Sequence, residues 1–370
     1  MTISSAMFSA LFTGSASSGS VDFSFLTKSS TSGTASTANI GSVKSALVSA
    51  EKNEAKQLAQ VAKDPQIQKD LARYEKVVKS ARTIDDVLND PVARTVLMTA
   101  NGLKADINNI ALAKKGMTSD PTDAKSVAAK MSSINGAWLG FAKAYNLAEY
   151  GLDALSPRQD GAAGRWRIAF EREGEPIEAM LEIRKVRGGG YQAQIDGVTV
   201  PVTVNGSSVS LNLLWRDSAD ELRTSSLTGA LGKDGLTGTL TNDGETSKSD
   251  WSAVPYFKDA IKNVSQNYIA EKRLDMLDQQ MPGLGSAVLF KDMAKDLEDA
   301  VDILGSPLGR EIITTAFNIP KQIAVQSMSA QVKAITQRMD PAKLQNDHFV
   351  DQIAQRYLIM LNGGSGGLTA

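Results

Sequence analysis

The sequence predicts an α+β protein: a mostly α-helical body built from both ends of the chain, with an inserted antiparallel β-domain, either a sandwich or a small barrel. Three observations carry this expectation. Apolar residues recur at helical spacing from about residue 41 to 160 and again after Pro255. Between them, from Gly164 to Pro255, they alternate as in a half-buried strand. One helical segment also occurs twice, once on each side of the alternating region.

The expected parts are a Ser/Thr-rich leader (1–40), the first half of the helical domain (41–160), the β-domain (161–256), the second half (257–361) and a Gly-rich tail (362–370). Eighteen of the first forty residues are Ser or Thr and the only charges are Asp22 and Lys28, a composition that cannot offset the entropy of ordering. A secretory signal would need basic residues ahead of an apolar run, and none precedes Lys28. The stripe Val43, Leu47, Ala50, Leu58 and Val61 is narrow and Ala-rich, as expected of a slender helix lying against a partner. A second helix follows Pro65, with Tyr74, Val77 and Val78 on its inner side. Thr83, three residues before Asp86, can form a capping box. A helix is expected from about Asp123 to Leu155, with Trp138, Phe141 and Tyr145 as core residues.

In the β-domain, runs such as Trp166-Ile168-Phe170, Ala179-Leu181-Ile183 and Val198-Val200-Val202-Val204 predict seven or eight strands. Glu173-Gly174, Asp196-Gly197, Asn205-Gly206 and Asp234-Gly235 predict the tight turns of a meander. In the repeat, Val87 to Leu103 overlies Ile303 to Ile319 without a gap; Pro91, Arg94, Thr99 and Ala100 recur as Pro307, Arg310, Thr315 and Ala316. Tyr74 meets Phe290 at the same offset, and Asp120-Pro121 meets Asp340-Pro341 after a small shift.

These segments resemble the bacterial family called domain of unknown function 1217. The resemblance rests on the repeated Pro, Arg and Ala, on Gly102-Leu103 and Thr118-Ser119-Asp120-Pro121, and in the second half on Asp299 to Gly305 and Phe349-Val350-Asp351. It implies a flagellum-associated protein of alphaproteobacteria without an assigned activity. It also implies export through the flagellar type III channel without a cleaved signal, and a location in the flagellum or outside the cell. Under it, the expected function is a non-enzymatic structural or assembly protein whose helical parts pack with other flagellar subunits or copies of itself, the β-domain facing outward. The alternative is a soluble module binding an apolar molecule or glycan in a β-barrel.

The chain holds no cysteine and one histidine among 40 basic and 41 acidic side chains, so thiolate chemistry and Cys/His zinc sites are excluded. A net charge of -1 offers no global field for nucleic acid, and no run of residues is long and apolar enough to span a membrane. His348 reads as a solvated helix-start residue, and Asp292, Asp296, Glu298 and Asp299 as an acidic helix face. Gly283-Leu284-Gly285 and Gly188-Gly189-Gly190 read as turns, and Asp217, Asp220 and Glu221 as loop chemistry. No catalytic, cofactor or metal site is expected. The candidate subunit-interface residues are Val43, Leu47, Ala50, Leu58 and Val61 near the start, and Val350, Ile353, Tyr357 and Leu361 near the end.

Overall fold

A computed structural model describes residues 40–243 and 248–363, so the expected leader and tail lie outside the described residues except for Ile40, Asn362 and Gly363. The chain is α+β, with an antiparallel sheet inserted between helical segments. It divides into two compact units. Of the described residues, the helical unit takes 40–74, Pro91–Asn146 and 265–363. The barrel unit takes Glu75–Asp90 and Leu147–Val264, so it includes helical residues on both sides of the strands.

The helices before the sheet are α1 (Ile40–Lys52), α2 (Glu54–Ala62), α3 (Pro65–Ser80), α4 (Ile84–Asn89), α5 (Pro91–Thr99), α6 (Ile110–Met117), α7 (Val127–Met131), α8 (Ala137–Tyr145) and α9 (Leu147–Tyr150). Those after it are α10 (Ala260–Gln280), α11 (Leu284–Met293), α12 (Ala300–Gly305), α13 (Pro307–Ala316), α14 (Met328–Thr336) and α15 (Asp347–Leu361). The single helix expected over 123–155 is broken into pieces. Asn146 closes α8 in the left-handed conformation at φ 41°, a position Asn tolerates better than most residues.

The repeated segment folds the same way twice. Thr83 and Asp86 form a reciprocal capping box ahead of α4, and Asp299 and Asp302 form one ahead of α12. Pro91 and Pro307 then start α5 and α13, where a missing N–H costs nothing. Each copy ends alike: the N–H of Leu103 donates to Met98 and that of Ile319 to Thr314, both at 2.8 Å. The residue before, Gly102 at φ 71° and Asn318 at φ 49°, is left-handed in both, which makes each a Schellman stop sealed by a buried aliphatic residue. Asp299 therefore caps a helix rather than continuing an acidic face, because the chain leaves the helix after Met293.

The sheet has nine segments: β1 (Gly164–Arg172), β2 (Glu175–Lys185), β3 (Tyr191–Ile195), β4 (Val198–Val200), β5 (Val202–Asn205), β6 (Ser208–Arg216), β7 (Leu222–Leu231), β8 (Leu236–Asn242) and β9 (Lys248–Pro255). Every pairing is antiparallel, in the order β4-β3-β2-β1-β9-β8-β7-β6-β5. The strand expected over Val198–Val204 is split at Pro201, which has no N–H to add to a ladder. Its first piece pairs with β3 and its second with β6, so the sheet curls into a nearly closed barrel rather than a sandwich. Glu173-Gly174 and Asp196-Gly197 both have positive φ at both positions, as two-residue hairpins require. At the tightest crossing, Gly229 faces Gly238 across β7 and β8, and a Cβ at Gly229 would lie 2.8 Å from the Trp251 ring. Ile168, Leu181, Leu211, Leu227, Leu236, Trp166 and Trp251 fill the inside.

Within the barrel unit, the Arg165 guanidinium on β1 donates to Asp153 at 2.6 Å and to the Tyr150 carbonyl at 3.2 Å, and pairs with Glu182 at 3.0 Å. Arg158 donates to the Val78 and Ala81 carbonyls, satisfying acceptors that the end of α3 leaves open. Burial raises the Asp153 carboxyl above its usual range even though Arg165 and Arg158 oppose the shift.

In the helical unit, α10 and α11 meet at Gly283-Leu284-Gly285, which works by close approach rather than as a plain turn. A Cβ on Gly285 would overlap the Leu274 carbonyl, and one on Gly283, at φ 83°, would lie 2.5 Å from Leu361. Gly140, inside α8, has open space around it. Gly285→Ala should therefore lower unfolding free energy by about 2 kcal/mol or more in urea titrations. Gly140→Ala should raise it by roughly 0.5–1 kcal/mol.

Candidate functional site

Most of the candidate interface residues are buried within the chain. Val43, Leu47 and Ala50 from α1 lie in one core cluster with Val350, Ile353 and Tyr357 from α15. Val61 is buried too, Leu58 is half-buried, and of the nine only Leu361, 44% exposed, keeps a large apolar surface open. The α1 part of the narrow Ala-rich stripe packs on this chain's own α11 and α15.

Beside that packing lies a polar clamp that sequence reasoning missed. Arg273 on α10 is 3% exposed. Its guanidinium donates to the Ala50 carbonyl at 2.8 Å, to Glu54 at 3.0 Å and to Gln57 at 3.0 Å, which holds the junction of α1 and α2. Burial lowers its pKa from the ordinary value, and Glu54 and Asp292 pull the other way. Lys291 on α11 bridges Glu51 and Asp351, the latter at 2.5 Å, and so joins α1 to α15. Burial alone would lower the Lys291 ammonium, and the bonds to Asp351 and Glu51 outweigh it, so its pKa is raised. Partial burial, then Glu54, raises the Asp292 carboxyl. One signal was legible: Arg273 stands one turn before the buried Leu277 on the same face of α10, where an apolar residue would be the default.

These residues rim a cavity of about 300 Å³ lined by Glu51, Glu54, Arg273, Lys291, Asp292 and Asp351 together with Val288, Asp347 and Val350. Five carboxylates face two cations there, and both cations are engaged. Among the described residues no group of three His, Asp or Glu is placed to hold a metal ion.

The other candidates are dispersed. His348 is exposed at the start of α15. Asp217 accepts from the N–H groups of Ala219 and Glu221 and from Arg223 at 2.8 Å, which holds its carboxyl below the usual range, the Arg223 bond first. Trp166 and Trp251 are core residues, and Trp215 donates to Ser225 beneath the Arg172 guanidinium. The barrel interior is occupied by side chains. A depression on the barrel is lined by Ala169, Thr237, Gly238, Thr239, Asp250, Trp251 and Ser252, most of which alternate with the inward residues Ile168, Leu236, Leu240 and Ala253. No helix among the described residues is long and apolar enough to cross a membrane.

A helical protein carrying an inserted antiparallel barrel is the class these features define. The family model described as "Protein of unknown function (DUF1217)" matches residues 100–161 and 246–350. The interval between the matches contains β1 through β8, so most of the barrel lies outside the matched segments. No curated protein matches the chain. A crystal structure of protein AGR_C_984 from Agrobacterium tumefaciens is similar over 90% of this chain and 98% of that one, with a TM-score of 0.51 and 15% identity. At that identity the likeness is one of fold.

Arg273→Met should cost about 2–4 kcal/mol in urea unfolding, because it strips the partner from the buried Ala50 carbonyl and from Gln57. Arg273→Lys should recover only part of that loss, since one ammonium cannot serve three separated acceptors.

Proposed function

We propose that this chain is a non-enzymatic structural or assembly protein of the bacterial flagellum. It is exported unfolded by the flagellar type III route, its helical unit packs with other flagellar subunits or with copies of itself, and its barrel is exposed. The observation that carries the reading is the pairing of α1 with α15: the first and last described helices share one core, so the helical unit is complete only when both ends of the chain are present. A chain of that kind suits release as a whole before folding. The resemblance on which the flagellar association rests supports the same reading. The filled barrel favours it over a module with a ligand inside the β-domain.

The test is the distribution of the protein in a flagellated host. The full chain should be recovered with sheared flagella, and a variant lacking residues 1–40 should accumulate inside the cell. Absence of the full chain from sheared flagella and culture supernatant, or undiminished export of the shortened one, would overturn the proposal.

A further inference from the structure

In the helical unit, α10 presents Tyr268, Glu271, Lys272 and Asp275 at i, i+3, i+4 and i+7, which places them on one face. Three of the four are tied down. The Tyr268 hydroxyl donates to Asp70 of α3 at 3.0 Å. Lys272 lies 5.3 Å from the Tyr268 ring centre and 3.2 Å from Asp275. The second Asp275 oxygen takes Lys104, from the short 3-10 turn Lys104–Asp106 that follows the first Schellman stop. Glu271 stands in the middle of this row, half-buried and without a hydrogen bond or ion pair among the described residues.

We propose that Glu271 is a proton-controlled element of this row. Neutral, it leaves Asp275 free to hold Lys104 and Lys272; ionised, it sets a second carboxylate beside Asp275, competes for the same two ammonium groups, and loosens α10 from α3 and from the Lys104 turn. The charges that face it are Asp275 and Lys272 on its own helix and Lys104 from the turn, while Asp70 of α3 reaches the row through Tyr268. Burial first, and Asp275 second, push the Glu271 carboxyl up to about 7, with Lys104 and Lys272 opposing. An acid with its pKa raised in the folded state contributes stability that is fully present below its unfolded value, near 4.3, and is lost as pH rises through about 7. The row is therefore at its firmest in mildly acidic solution and weakens under mildly alkaline conditions.

Two measurements on the full chain test this, with Glu271→Gln as a neutral mimic of nearly the same shape. First, the thermal midpoint of the wild type, relative to that of Glu271→Gln, should fall by about 2–4 °C between pH 5.5 and 8.5. Second, hydrogen exchange, corrected for the intrinsic effect of pH, should show protection of residues 65–80 and 260–280 falling over that range in the wild type and staying level in Glu271→Gln. Asp275→Asn, which removes the neighbouring charge, should move the wild-type transition to lower pH. An equal pH slope in wild type and Glu271→Gln would overturn the proposal. So would a loss of protection spread evenly over the helical unit, or an Asp275→Asn transition that stays in place or moves up.

Discussion

The helical unit depends on one buried cation. Arg273 is carried by a helix that follows the barrel, and the three groups it holds lie more than two hundred residues earlier in the chain. A guanidinium removed from water is costly unless its N–H groups are satisfied, so the site stabilises the fold only when the α1–α2 junction is in place. This couples the ends of the chain more strictly than apolar packing alone. Val43 and Leu47 could slide along α15 with modest loss, but the Ala50 carbonyl meets Arg273 in a single register. Lys291, bridging Glu51 and Asp351, adds a second, more solvated tie in the same place.

The architecture was legible in the sequence because it is written in periods and stops. Alternation marked the strands, and the gapless overlay of Val87–Leu103 on Ile303–Ile319 marked two helical copies, which share capping boxes and left-handed stops in the structure. Side-chain destinations were less legible. The α1 stripe announced a partner without saying whether it was the same chain, because periodicity reports which face is buried and not against what. Arg273 and Glu271 carry no local motif that sets them apart from the other charges on α10. Only the long-range approach of α2, α3 and the Lys104 turn gives them their roles. The glycines at 283 and 285 were read from local turn chemistry, while their use is set by Leu361 and Leu274, one of them 78 residues away in the chain.

The barrel explains how so large an insertion can sit between the halves of a helical unit. Its entry and exit strands are neighbours: Trp166 on β1 stands opposite Pro255 on β9. The chain thus leaves the barrel beside the point where it came in. Trp251 against Gly229 and the Gly229–Gly238 pair allow the strands to curl tightly enough for an eight-pairing sheet to be packed with side chains.

Pro201 has one further consequence. Because the two outer segments of the sheet, β4 and β5, are joined through a single residue, the margins at the two ends of the ladder are only three and four residues long. A bare margin of that kind is a template on which another chain can add a strand, and the hazard grows with local concentration. A β-domain displayed many times over in a crowded array would need to be inert toward its own copies. A proline that divides one strand between the two ends of the sheet keeps both margins short with a single side chain.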